Sequence, residues 1–174
     1  MTNYPLRLIL ADIRSTANVG SILRTAEAFG VERVYAAGYT PYPRLPHDDR
    51  PPYIIHSNTK SIARTALGAE NYVPIEHIPT SLEAIMRARA DGLKIIVLEQ
   101  AKNSLNLASY RLDGPAALML GSEVAGVPPK LLSAADDVLE IPMMGRKESF
   151  GVAVAAGIAL YSLRSSSELS GINT

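Results

Sequence analysis

The chain has 174 residues, 47% of them hydrophobic, with 17 basic and 17 acidic side chains and no net charge. That composition suits one globular domain with a core of its own and excludes a fibrous or largely disordered chain. The absence of cysteine removes disulfides, thiolate metal sites and thiol catalysis, and neutrality gives no electrostatic sign of a polyanion partner.

"LRLILAD" (residues 6–12) is a short apolar run that predicts a buried strand, too short for a membrane span or a signal sequence. With no export address, the expectation is a cytoplasmic protein without membrane contact. "NVGSILRTAEAFG" (18–30) follows with Val19, Ile22, Leu23, Ala26 and Phe29 at core-facing helical spacing. Asn18 is its candidate N-cap. Gly20 costs such a helix roughly 1 kcal/mol against alanine. One turn before Arg24, it reads as open space beside a cation, a place for a phosphate.

"RVYAAG" (33–38) predicts the second strand. Residues 39–57 hold five of the twelve prolines, three tyrosines, Arg44 and Arg50. This reads either as a proline-stiffened surface loop or as a segment that contacts phosphates and bases. A helix is expected over Asn58–Leu67, a strand in "NYVPIEH" (71–77), a helix over Ser81–Asp91 and a strand in "LKIIVLEQ" (93–100). "AALMLG" (116–121) and "DVLEIP" (137–142) are further strands, with a helix over Pro129–Ala135 between them. Strands alternating with helices predict an α/β domain with a mostly parallel sheet flanked by helices. The three histidines show no metal-site spacing, so no metal is expected.

The glycine-rich turns match no dinucleotide fingerprint, P-loop or nucleophile elbow. "LMLGSEVAGVP" (118–128) runs a buried strand into Gly121, Glu123 and Gly126, placing a carboxylate where open α/β sheets bind ligands. A helix-capping Glu123 is the plainer alternative. "IPMMGRKESF" (141–150) carries Arg146, Lys147 and Ser149 into a helix ending near Leu163. Apolar on nearly every side, that helix is expected to be buried all round, as a core element, a subunit interface or both. A single domain over 1–164 and a polar, frayed tail over 165–174 complete the expectation.

Taken together and in order, three clusters resemble the motifs of the SpoU (TrmH-like) RNA ribose methyltransferases of the SPOUT superfamily. N-x-G-x-x-x-R is matched by Asn18, Gly20 and Arg24; L-G-x-E-x-x-G-[LV]-P from Leu120 through Gly121, Glu123 and Gly126 to Pro128. The third, I-P-M-x-G followed by S-L-N-V-S-V-A, is matched by Ile141, Pro142, Met143, Gly145, Ser149, Val152, Val154 and Ala155. The chain departs from it at Phe150, at Ala153 and at Gly151, which stands where the family has an active-site asparagine.

The resemblance implies a C-terminal trefoil knot and methyl transfer from S-adenosylmethionine to a ribose 2′-hydroxyl of a structured RNA, tRNA or rRNA, without a metal. It places Leu98, Gly121, Glu123, Gly126, Ile141, Met143, Ser149 and Phe150 at the cofactor and Asn18, Arg24, Glu123 and Ser149 at the chemistry. Arg24 is the family's catalytic arginine, helped by Ser149; a guanidinium that stays protonated suits clamping phosphate better than removing a proton. It further implies a homodimer in which one subunit's arginine reaches the other's cofactor. Arg14, Arg44, Arg50, Arg146 and Lys147 are the cations left to gather RNA. A non-catalytic RNA-binding protein of the same fold is the alternative.

Overall fold

The computed structural model describes residues 4–147 and 149–165. Seven strands form one sheet: β1 Leu6–Ala11, β2 Arg33–Ala37, β3 Ile75–Ile78, β4 Lys94–Leu98, β5 Leu105–Asn106, β6 Ala116–Leu120 and β7 Asp137–Glu140. Their order across the sheet is β3-β2-β1-β6-β4-β7-β5, and every pairing is parallel. The helices are α1 Thr16–Ala28, α2 Pro52–Ala66, α3 Ser81–Ala90, α4 Pro129–Leu132 and α5 Val152–Ser165.

The central strands are apolar throughout because both of their faces are covered. In β1, Leu6, Leu8 and Leu10 face α1, α2 and α5, while Ile9 and Ala11 face α3 and α4; β6 divides the same way, with Leu118 and Leu120 opposite Ala117 and Met119. The sheet order reverses between β1 and β6; the loop after β1 carries Arg14 and Ser15, and the loop after β6 carries Gly121 and Ser122. In an open parallel sheet this is where a crevice forms.

Local signals explain most helix ends, though not as the sequence suggests. Ser15, not Asn18, caps α1: its hydroxyl accepts from the Asn18 N–H at 3.2 Å. Asn18 therefore lies inside the first turn with its amide free for other work. α2 starts at Pro52 rather than Asn58, because a proline at the first helical position gives up an N–H that has no partner there anyway. Only residues 39–51 are therefore loop. It ends at Leu67 and Gly68, both in the left-handed region (φ 51° and 100°). Residues 69–71 form a 3-10 turn, so β3 starts at Ile75, later than the apolar run. The helix expected over 129–135 is a single turn, and two-residue β5 carries no periodic signal at all.

The last helix is not buried all round. Ala156, Ala159, Leu160 and Leu163 are sealed against the core, but Val154, Ile158 and Tyr161 are 56%, 36% and 60% exposed. Arg164 closes this helix onto α1: its guanidinium donates to the carbonyls of Phe29 (2.9 Å), Gly30 (2.8 Å) and Tyr4 (2.7 Å). α5 runs through Ser165, so the tail expected over 165–174 does not begin there, and its remaining residues, 166–174, lie outside the described residues.

Candidate functional site

Three loops meet at the carboxyl edge of the sheet, after β4, β6 and β7. Between them lies a cleft of about 640 Å³, within the range of small-molecule sites. Seven of the eight expected cofactor residues line it: Leu98, Gly121, Glu123, Gly126, Ile141, Ser149 and Phe150. Met143, half-buried, does not. Among the expected catalytic residues Asn18, Glu123 and Ser149 line the cleft, but Arg24 stands on the exposed face of α1, outside it.

The β6–α4 loop is built around two glycines. Ser122 and Gly126 exchange backbone hydrogen bonds at 3.2 and 2.9 Å, closing a tight loop in which Gly126 has φ +62°. A Cβ on Gly121 would lie 2.5 Å from the Gly126 carbonyl carbon, and one on Gly126 would lie 2.3 Å from a Glu99 carboxylate oxygen. Close approach of the Gly126 backbone demands glycine at 121, and the left-handed backbone demands it at 126. Glu99, which the sequence reading missed, holds this loop to β4 by accepting from the Val127 N–H at 2.8 Å and the Gln100 N–H at 3.0 Å. Glu140 accepts from the Ser104 hydroxyl at 2.6 Å. Both acids follow or close a strand at the carboxyl edge, the same positional signal that singled out Glu123.

Glu123 caps nothing on its own helix. It reaches across to the β1–α1 loop and accepts from the N–H groups of Arg14 (2.9 Å) and Ser15 (3.1 Å) and from the Asn18 amide (2.8 Å). Burial disfavours its charge, but these donors outweigh burial and hold the carboxyl below its ordinary range. A carboxylate so engaged positions its neighbours rather than taking up a proton. Asn18 is occupied by the same contact. Ser149 remains exposed at the cleft mouth.

The structure corrects the reading of Gly20. A Cβ there would sit 2.1 Å from the Thr65 hydroxyl and 2.3 Å from the Ile62 carbonyl of α2. The space is filled by a neighbouring helix, so Gly20 offers no room for a phosphate. The expected RNA-contacting cations divide likewise. Arg14, Arg44, Arg146 and Lys147 are exposed. Arg50 is consumed within its own loop, donating to Asp48 (2.8 and 2.6 Å) and to the carbonyls of Tyr42 and Pro43 (3.0 Å each). Its guanidinium lies 3.5 Å from the Tyr42 ring centroid and holds the Asp48 carboxyl well below the usual carboxylate range. Arg50 staples residues 42–50 and is not available to a partner.

Among the described residues no group of side chains could hold a metal ion, and no helix is long and apolar enough to cross a membrane.

Residues 52–161 match the SpoU rRNA methylase family. Over 164 residues the chain is 27% identical to the tRNA (guanosine(18)-2′-O)-methyltransferase of Borreliella burgdorferi, covering 93% of this chain and 66% of that protein. The chain thus spans somewhat less than two thirds of that relative's length. Among solved structures it is similar to the TrmH/SpoU tRNA modifying enzyme of Aquifex aeolicus, with a TM-score of 0.76 and 25% identity over 97% of this chain and 78% of that one. It is also similar to the AdoMet-bound rRNA methyltransferase of Sinorhizobium meliloti, with a TM-score of 0.74 and 25% identity over 91% and 55% of the two chains.

Proposed function

The chain belongs to the SpoU rRNA methylase family, and on that premise we propose that it transfers the methyl group of S-adenosylmethionine to a ribose 2′-hydroxyl of a structured RNA, tRNA or rRNA. One observation carries this reading: seven of the eight residues assigned to the cofactor by motif come together around one cleft, from three loops far apart in sequence.

The lining fits that group. Leu98, Leu120, Ile141 and Val152 offer apolar contact, and Glu99, Glu123 and Glu140 supply carboxylates, whereas among the described residues no lysine or arginine lines the cleft. Such a surface favours a cation over a neutral thioether. S-adenosylmethionine, when bound, supplies an electrophilic methyl on a sulfonium. The chain's own residues do the rest. Glu99 and Glu123 fix the glycine loop; Ser149 offers a hydroxyl at the mouth for orienting the ribose. Arg24, always protonated, clamps the phosphate beside the reacting hydroxyl and stabilises developing negative charge.

Because Arg24 lies outside its own chain's cleft, the reading includes a homodimer in which Arg24 serves the partner subunit. The apolar stripe of Val154, Ile158 and Tyr161 on α5, which packs against α1, supports that arrangement. The reading also includes the trefoil knot, supported by the insertion of β7 between β4 and β5 before the chain returns to α1.

Calorimetric titration with S-adenosylmethionine tests the assignment. Saturable binding is expected, retained in Arg24→Ala and lost in Gly121→Val, with transfer to tRNA or rRNA abolished in both. Absence of cofactor binding by the folded wild-type chain would turn the reading to RNA binding without chemistry.

A further inference from the structure

The outer layer formed by α1 and α2 has a charge distribution that the neutral chain as a whole lacks. Residues 13–28 and 50–69, which take in both helices, contain one carboxylate, Glu27, although at the chain's average 36 residues would carry about three or four. Within them fall Arg14, Arg24, Lys60 and Arg64, besides Arg50, whose charge Asp48 already pairs. Along α2, Tyr53, His56, Lys60 and Arg64 are exposed at spacings of three and four, so they form one solvent-facing stripe. Arg44 is held beside it, its backbone N–H donating at 2.9 Å to the Thr59 hydroxyl.

α1 and α2 both connect neighbouring parallel strands, so they run in the same direction. Their contact at Gly20, with the Thr65 hydroxyl donating to the Ala17 carbonyl at 2.9 Å, puts Arg24 one turn further along, toward the end of α2 where Arg64 stands. Neither Lys60 nor Arg64, nor Arg24 or Arg44, forms an ion pair with a described residue. A position near a helix C-terminus accounts for Arg64, but Lys60 lies mid-helix, where the dipole offers it nothing.

From this we infer that the α1–α2 face carries the phosphate backbone of the RNA toward Arg24, with Lys60 and Arg64 each neutralising a phosphate and Arg44 a third. The inference rests on the proposed RNA methyltransferase reading. An anionic membrane fits less well, since the apolar residues of α2, Ile55, Ile62 and Ala66, are turned into the core.

The test is binding of labelled, unfractionated tRNA across 50–300 mM KCl by the wild-type chain, Lys60→Ala/Arg64→Ala, and Arg87→Ala on α3, beneath the opposite face of the sheet. Each phosphate contact contributes about 0.7–0.9 to the slope of log K against log salt. The double variant is therefore expected to lose about 1.4–1.8 from the slope and about tenfold or more in affinity at 150 mM salt. Its S-adenosylmethionine affinity and melting temperature stay at wild-type values, and Arg87→Ala binds tRNA as wild type. A double variant with wild-type slope and affinity overturns this inference and leaves the functional reading intact. A wild-type chain that binds neither S-adenosylmethionine nor tRNA overturns the functional reading, and this one with it. Binding of phosphatidylglycerol vesicles is measured alongside, and a double variant that loses vesicle binding while keeping its tRNA affinity and slope overturns the inference in favour of a membrane surface.

Discussion

Gly20→Ala sets helix propensity against packing. In an isolated helix the substitution is worth roughly 1 kcal/mol of stabilisation. Here the new methyl would lie 2.1 Å from the Thr65 hydroxyl, 2.3 Å from the Ile62 carbonyl oxygen and 3.0 Å from the Ala66 nitrogen. Thr65 can rotate away, at the expense of its 2.9 Å bond to the Ala17 carbonyl, a loss of about 1 kcal/mol. The Ile62 carbonyl is backbone and cannot, so α2 must withdraw by about 1 Å, an overpacking cost of about 1–3 kcal/mol. The net is a destabilisation of about 2 kcal/mol, or about 4–8 °C in melting temperature for a chain this size. Thermal unfolding followed by circular dichroism measures it. A variant that melts higher than wild type would refute the packing account, and a variant of unchanged stability that binds RNA less tightly would restore Gly20 as part of an open phosphate site.

Mixing Arg24→Ala with Gly121→Val chains, each inactive alone, should restore about a quarter of wild-type transfer, because random pairing makes half the dimers mixed and each then holds one complete site; no recovery would place Arg24 in its own subunit's chemistry. Glu123→Gln should destabilise by about 1 kcal/mol at neutral pH, a modest figure because the carboxylate is largely exposed. Since the folded-state pKa of Glu123 is depressed below its ordinary 4.5, its contribution is present above that value and fades as pH falls through the folded value. Wild type and variant should therefore converge in urea titrations toward acid pH, and a constant gap would show that shape rather than charge matters. Arg164→Met should cost about 2–4 kcal/mol by stranding three carbonyls. Lysine should not rescue it, because one ammonium cannot copy the guanidinium fork; melting temperatures of the two variants decide.

The cleft was legible in sequence because loops after buried strands in a parallel sheet must converge at one edge. Gly121, Glu123 and Ser149 could be placed there once the strands were recognised. Local chemistry was less legible. Asn18 and Ser15 are both good caps, and only the partner available to Asn18, a carboxylate 105 residues away, separates their roles. Arg50 looks like any loop arginine until the chain folds Asp48 and Tyr42 around it.

What the sequence determined by itself is periodicity and order: apolar runs long enough to be buried on both faces, helices between them, and three motifs in succession. Those follow from local stereochemistry and the hydrophobic effect, which act on residues near one another in the chain. The tertiary structure alone decided what each glycine faces and which charges remain free. It filled the space beside Gly20 with α2, spent Arg50 and Glu123 on internal bonds, and left Arg24, Lys60 and Arg64 exposed. Those outcomes depend on distances between distant segments, which no local pattern encodes.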